Sequence, residues 1–145
     1  MAAPSHQSVV TTNAPNPMPT IFPQAVVTAN GFVFCSGNIA MDPQTLKVID
    51  GDIQAHTHRI IQNISAVLDA AGSSLARIVK INIFLANMDD FARMNEVYVQ
   101  YFQTNLPART AYVIFDSIIH DDINEPMTDM ETGKDRKADN TKGPK

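Results

Sequence analysis

Residues Ile78 to Leu85 alternate strictly between two stretches of helical periodicity, with Val79, Ile81, Ile83 and Leu85 on one side and Lys80, Asn82 and Phe84 on the other. A period of two belongs to a half-buried strand and cannot serve as a helix. In the stretch before it, Ile53, Ile60, Ile61, Ile64, Val67, Leu68 and Ala71 recur at helical spacing. Asp52 stands where an acid favours a helix start, and Gly72 where a C-terminal glycine belongs. After the strand, Phe91, Met94, Tyr98, Tyr101 and Phe102 form the apolar stripe of a second helix, predicted from Asp89 or Asp90 to Asn105. A further apolar run, Ala111 to Phe115, reads as another strand.

Upstream lie two short runs of β-formers, Gln24 to Ala29 and Phe32 to Ser36, separated by Asn30-Gly31. An Asn-Gly pair tolerates positive φ at both central positions, which predicts a hairpin with a type I′ turn. Five prolines precede it in Met1 to Pro23. They make this segment an extended arm, flexible over residues 1–7, in which only Ser8 to Thr12 suits strand pairing. The loop Met41 to Gly51 takes its turn chemistry from Asp42-Pro43. The order hairpin, helix, strand, helix, strand predicts an α+β fold with two helices on one face of a mixed sheet. The other face, with Lys80, Asn82 and Phe84, is neither a dry core nor a solvated surface and reads as an association face.

Arg109 stands immediately before the last predicted strand, in Pro107-Ala108-Arg109-Thr110. A fork of N–H donors fixed at the root of a strand suits a small carboxylate or phosphate, gripped by two parallel charge-assisted hydrogen bonds. Ser36-Gly37-Asn38, at the end of the hairpin, is where the backbone can approach a ligand closely, since glycine puts no side chain in the way.

Charge narrows the partners. The net charge is −4, and residues 116–145 carry eight acids and five bases, so the body is left near −1. A near-neutral body offers no basic footprint for nucleic acid. Hydrophobic residues make up 44% of the chain, yet no run approaches the length of a membrane span. The single cysteine, Cys35, has no intrachain partner and reads as a small buried hydrophobe, because nothing basic adjoins it. The chain's start lacks the apolar core of a signal peptide and the arginines of a transit peptide. A reducing cytosol is the expected setting, with the mitochondrion as the alternative. His56 and His58, two apart on a helix, point to different sides, so no metal site is expected, and no cofactor either.

These residues carry a resemblance. Gln24-Ala25-Val26, Phe32-Val33-Phe34-Cys35-Ser36-Gly37-Asn38-Ile39, Asp42-Pro43, Ala70-Ala71-Gly72-Ser73, Val79-Lys80, Phe84-Leu85, Met88-Asp89-Asp90-Phe91, Asn95-Glu96-Val97-Tyr98 and Pro107-Ala108-Arg109 follow one pattern in order and spacing. It resembles that of the reactive intermediate deaminase A family, also called the YjgF or L-PSP endoribonuclease family, over about Ser8 to Tyr112.

The resemblance implies a chorismate-mutase-like fold over residues 1–115, assembled as a homotrimer with a barrel-like core and sites between subunits. It implies hydrolysis of 2-iminobutanoate and 2-iminopropanoate, released by pyridoxal-phosphate enzymes, to 2-oxo acids and ammonia. It also assigns roles: Arg109 and Asn95 in catalysis, and Arg109, Phe22, Ser36, Gly37, Asn38 and Ala111 around the substrate. A trimer that binds carboxylates without turnover is the competing expectation, and a ribonuclease the third.

The chain departs from the family pattern at three places. Phe22 stands where many members have tyrosine, and Ala111 where bacterial members often have cysteine, although animal members also read Ala-Tyr there, as Ala111-Tyr112 does. The pattern of the family's last strand is not found here, and its water-positioning glutamate is missing or shifted: an ungapped count places that glutamate at Asn124, with Glu125 beside it and Pro126 following. The tail from 116 to 145 is expected to be disordered, with pairing of Ser117 to Ile123 near the site as the alternative.

Overall fold

The computed structural model describes residues 5–114; the expectations for Glu125, for Ser117 to Ile123 and for the charged tail lie outside the described residues. Five strands and two α-helices follow in the order β1 (His6–Val9), β2 (Ala25–Thr28), β3 (Val33–Cys35), α1 (Ile53–Ala70), β4 (Lys80–Leu85), α2 (Phe91–Tyr101) and β5 (Ala108–Val113). The fold is α+β with two helices, as the periodicities require. The described strands form two hydrogen-bonded groups, an antiparallel β1-β2-β3 sheet and a parallel β4-β5 pair joined through α2. A parallel pair needs such a crossover.

β1 starts at His6, so the last two residues of the expected flexible arm are strand, paired His6 with Thr28 and Gln7 with Val27. The β2–β3 hairpin lies where Asn30-Gly31 predicts it, but its turn differs. Thr28 N–H donates to Phe32 O at 2.9 Å, so the loop holds three residues, and of these only Gly31 has positive φ, at 86°. That is the three-residue alternative to a type I′ turn, in which one glycine takes the left-handed position. Thr28 favours it: its hydroxyl accepts from Phe32 N–H at 3.0 Å and bonds Asn30 Oδ1.

Helix α1 is delimited by its own chemistry. The Asp52 side chain accepts from Gln54 and Ala55 N–H at 3.1 and 3.0 Å and also pairs with Arg93 of α2. The Ala55 N–H, with help from Arg93, holds the Asp52 carboxyl below its ordinary pKa. At the other end Gly72, at φ 72°, lets Ser73 N–H reach Leu68 O at 2.8 Å and Gly72 N–H reach Asp69 O at 3.0 Å, the paired bonds of a Schellman end.

Two apolar clusters flank α1. Val67, with Ala66 and Ala71, packs on Val9, Ala14, Ala25, Val27 and Val33, and Ile61 packs with Leu85, Met94, Tyr98 and Phe102. One helix therefore holds both groups of strands. β4 turns Ile81, Ile83 and Leu85 towards this core, whereas Val79, expected among them, precedes the strand and is exposed. α2 stops at Tyr101 rather than Asn105, because Phe102 leaves helical φ/ψ and packs its ring 4.5 Å from that of Tyr98.

Two buried amides fasten the loops, and neither has a periodic signature. Gln24 accepts from Thr11 N–H at 2.6 Å and donates to the carbonyls of Thr11, Ala14 and Pro15. Asn63, fully enclosed on α1, donates to Met41 O at 2.9 Å and accepts from Arg59 Nε at 3.0 Å.

Candidate functional site

Arg109 is the second residue of β5, opposite Ile81, and not a residue lying before the strand as the apolar run implied. This register turns its side chain towards α2. Nη1 donates to Asn95 Oδ1 at 2.6 Å, and Cζ lies 4.6 Å from the ring centre of Tyr98 and 5.6 Å from that of Phe91. Phe91, Asn95 and Tyr98 stand at i, i+4 and i+7, on one face of α2. The helix thus offers one amide and two rings to a single guanidinium.

Among the described residues no carboxylate pairs with Arg109, and nothing accepts from its Nε or Nη2. That edge carries two parallel N–H groups and suits an external carboxylate. Burial pushes the Tyr98 phenol up, with the Arg109 charge pulling the other way, so Tyr98 is neutral at physiological pH. Ala111 lies two residues on, on the same face of β5. Phe91 and Tyr98 appear in the sequence as core. Their spacing around Asn95 was the available signal that they also face a polar partner.

The other candidates form a second group. Ser36 is tied internally: its N–H donates to Gln24 O at 3.0 Å and its hydroxyl to Pro23 O at 2.6 Å. The donors of Ser36 are therefore spent within the chain. Asn38 Nδ2 donates to Ser36 O at 2.9 Å. The N–H groups of Gly37 and Asn38 have no acceptor among the described residues. Phe22 lines an open groove of about 240 Å³ with Ser8, Val10, Pro19, Thr20, Ile21 and Pro23.

Among the described residues no hydrogen bond, ion pair or ring contact joins the Phe22–Ser36–Asn38 group to the Arg109–Asn95 group. A Cβ added at Gly37 meets nothing within 4 Å. Gly37→Ala is therefore expected to leave the melting temperature unchanged, as read by a thermal melt.

Cys35 is exposed rather than buried, though its thiol is sheltered enough for desolvation to raise its pKa, which leaves it a poor nucleophile. His56 bonds Ile49 O at 2.9 Å and His58 bonds the Tyr101 hydroxyl at 2.8 Å, so the two rings do point apart. No helix among the described residues is long and apolar enough to cross a membrane.

Comparison with known proteins agrees with this architecture. The chain is 44% identical to a RutC family protein of Pyrococcus horikoshii over 103 residues, 71% of this chain and 80% of that one. It is 38% identical to the rat 2-iminobutanoate/2-iminopropanoate deaminase over 82 residues, 57% of this chain and 60% of the rat protein. The crystal structure of Escherichia coli TdcF with bound serine superposes with a TM-score of 0.68 at 33% identity, covering 74% of this chain and 85% of that one. The sequence model for endoribonuclease L-PSP matches residues 11–115, and the chain belongs to this family, the one also called RidA or YjgF.

Proposed function

We propose that this protein hydrolyses small 2-imino acids of the 2-iminobutanoate and 2-iminopropanoate type to 2-oxo acids and ammonia. The observation that carries this reading is the Arg109–Asn95 pair, in which the guanidinium is held by an amide and keeps a two-donor edge clear of any described partner. A 2-imino acid presents a carboxylate beside a C=N bond, so one cation orients the whole reacting group. Water adds with its oxygen to C2 and a proton to nitrogen. The carbinolamine then expels ammonia as the C2 oxygen becomes a carbonyl. Such imines also hydrolyse unaided, so orientation and one proton-transfer partner are what the protein must supply. Pyridoxal-phosphate enzymes that eliminate from amino acids would furnish the substrate, and the likeness to the rat deaminase supports the assignment.

We further propose that the working form is a homotrimer, in which the Phe22–Ser36–Asn38 group of one copy meets the Arg109–Asn95 group of another around a barrel-like core. Phe34 and Phe84 are each 61% exposed on the strand side away from the helices, and Phe84 stacks on exposed Tyr112 with ring centres 6.1 Å apart. Aromatic surface of this extent marks an association face.

A binding-only reading is favoured by one feature, Phe22, which brings a ring to the groove without a hydroxyl. The test is ammonia release from 2-iminobutanoate generated in place by a threonine dehydratase. Release above the spontaneous rate supports the deaminase. Background release with a raised melting temperature in 2-oxobutanoate supports the binding protein, and RNA cleavage by highly purified protein in place of either supports the ribonuclease.

A further inference from the structure

We infer that the rings of Tyr98 and Phe91 form a platform fixing the Arg109 guanidinium with its Nε–Nη2 edge outward, which makes Tyr98 a positioning residue for carboxylate recognition. This rests on the reading of Arg109 as a carboxylate clamp and goes beyond it by naming what aims the clamp.

Arg109 is an exposed residue on a long side chain, and an arginine in that position ordinarily samples many rotamers. Ordering it only when a ligand arrives would subtract from affinity. Here two independent constraints act beforehand. The Tyr98 ring, 4.6 Å from Cζ, holds the height of the guanidinium, and Phe91, at 5.6 Å, bounds it from a second direction. Asn95 Oδ1, at 2.6 Å from Nη1, fixes rotation and uses the donor that a ligand does not need.

The platform is itself packed into the core. Tyr98 is 8% exposed and stacks on Phe102, ring centres 4.5 Å apart, within the cluster of Ile61, Leu85 and Met94. The orientation of Arg109 is thereby referred to the core rather than to the surface. A tyrosine phenol is neutral at physiological pH and burial pushes its pKa further up, so the platform presents a π face and no competing anion.

The experiment compares binding of 2-oxobutanoate by calorimetry, and KM for 2-iminobutanoate, in the wild type, Tyr98→Phe and Tyr98→Leu. If the ring acts, Tyr98→Phe retains the wild-type dissociation constant within about twofold, and Tyr98→Leu weakens it by about tenfold. The kinetic loss in Tyr98→Leu falls on KM more than on kcat. A merely structural Tyr98 would lower the melting temperature and leave affinity per folded site unchanged.

Should Tyr98→Leu fail to fold, Phe91→Leu, at a half-buried position, provides the reading, with affinity about threefold weaker expected. Wild-type affinity in the leucine variants overturns the platform. So does a loss in Tyr98→Phe as large as in Tyr98→Leu, which would assign the effect to the hydroxyl. No binding and no turnover by the wild type overturns the clamp together with the platform, whereas a wild type that binds beside unaffected leucine variants overturns the platform alone.

Discussion

Arg109→Ala is expected to lower kcat/KM for 2-iminobutanoate by about 10²- to 10³-fold while leaving the melting temperature nearly unchanged. A hydrogen bond to a charged group contributes about 1.5–3 kcal/mol net, and two parallel bonds from the exposed Nε–Nη2 edge, each at the lower end of that range, account for a loss of that size. Folding is spared because Arg109 is exposed and, among the described residues, the one hydrogen bond of its side chain runs to Asn95, a residue that is itself partly exposed. Arg109→Lys keeps the charge but loses the fork, so about a tenfold deficit is expected to remain. The threonine dehydratase assay reads both variants. Equal ammonia release from wild type and Arg109→Ala would remove Arg109 from the mechanism.

The second large effect concerns stability. Gln24→Leu is expected to destabilise the fold by about 2–4 kcal/mol, because it strands one N–H and three carbonyls that a single amide now satisfies. For a domain of this size that is a fall of roughly 10 °C in melting temperature. The change propagates to the candidate site, since Gln24 O accepts from Ser36 N–H and Pro23 O accepts from the Ser36 hydroxyl. A melting temperature within about 2 °C of wild type would mean that water replaces the glutamine side chain without loss.

Gln24 also shows where sequence patterns stop being informative. Its acceptors lie nine to thirteen residues away in a proline-rich arm, and no periodicity announces a contact between the residue preceding a strand and an irregular loop. Asn63 is similar: it sits among apolar residues of α1, and only the return of the 39–41 loop explains its complete burial.

Helix α1, by contrast, was fully legible, because its stripe, its Asp52 cap and its Gly72 end are all local signals. The hairpin was legible in place but not in turn type, since the Thr28–Phe32 pairing adds a residue that Asn30-Gly31 alone does not reveal. The Arg109–Asn95 pair shows the same division. Each residue could be named from its motif, but their contact depends on β5 beginning at Ala108 in parallel register with β4, and strand boundaries are weakly encoded. Tyr98 was legible as core and not as a support for the cation, because one stripe serves both ends.

The proposed site is completed between copies, since the two groups of candidate residues are not joined within one chain among the described residues. The most direct measurement is the mass of the purified protein by size-exclusion chromatography with light scattering, at the concentration used for the activity assay. The prediction is a trimer of about 48 kDa, three times the 15.9 kDa chain. A particle of 15.9 kDa that still hydrolyses 2-iminobutanoate would contradict it.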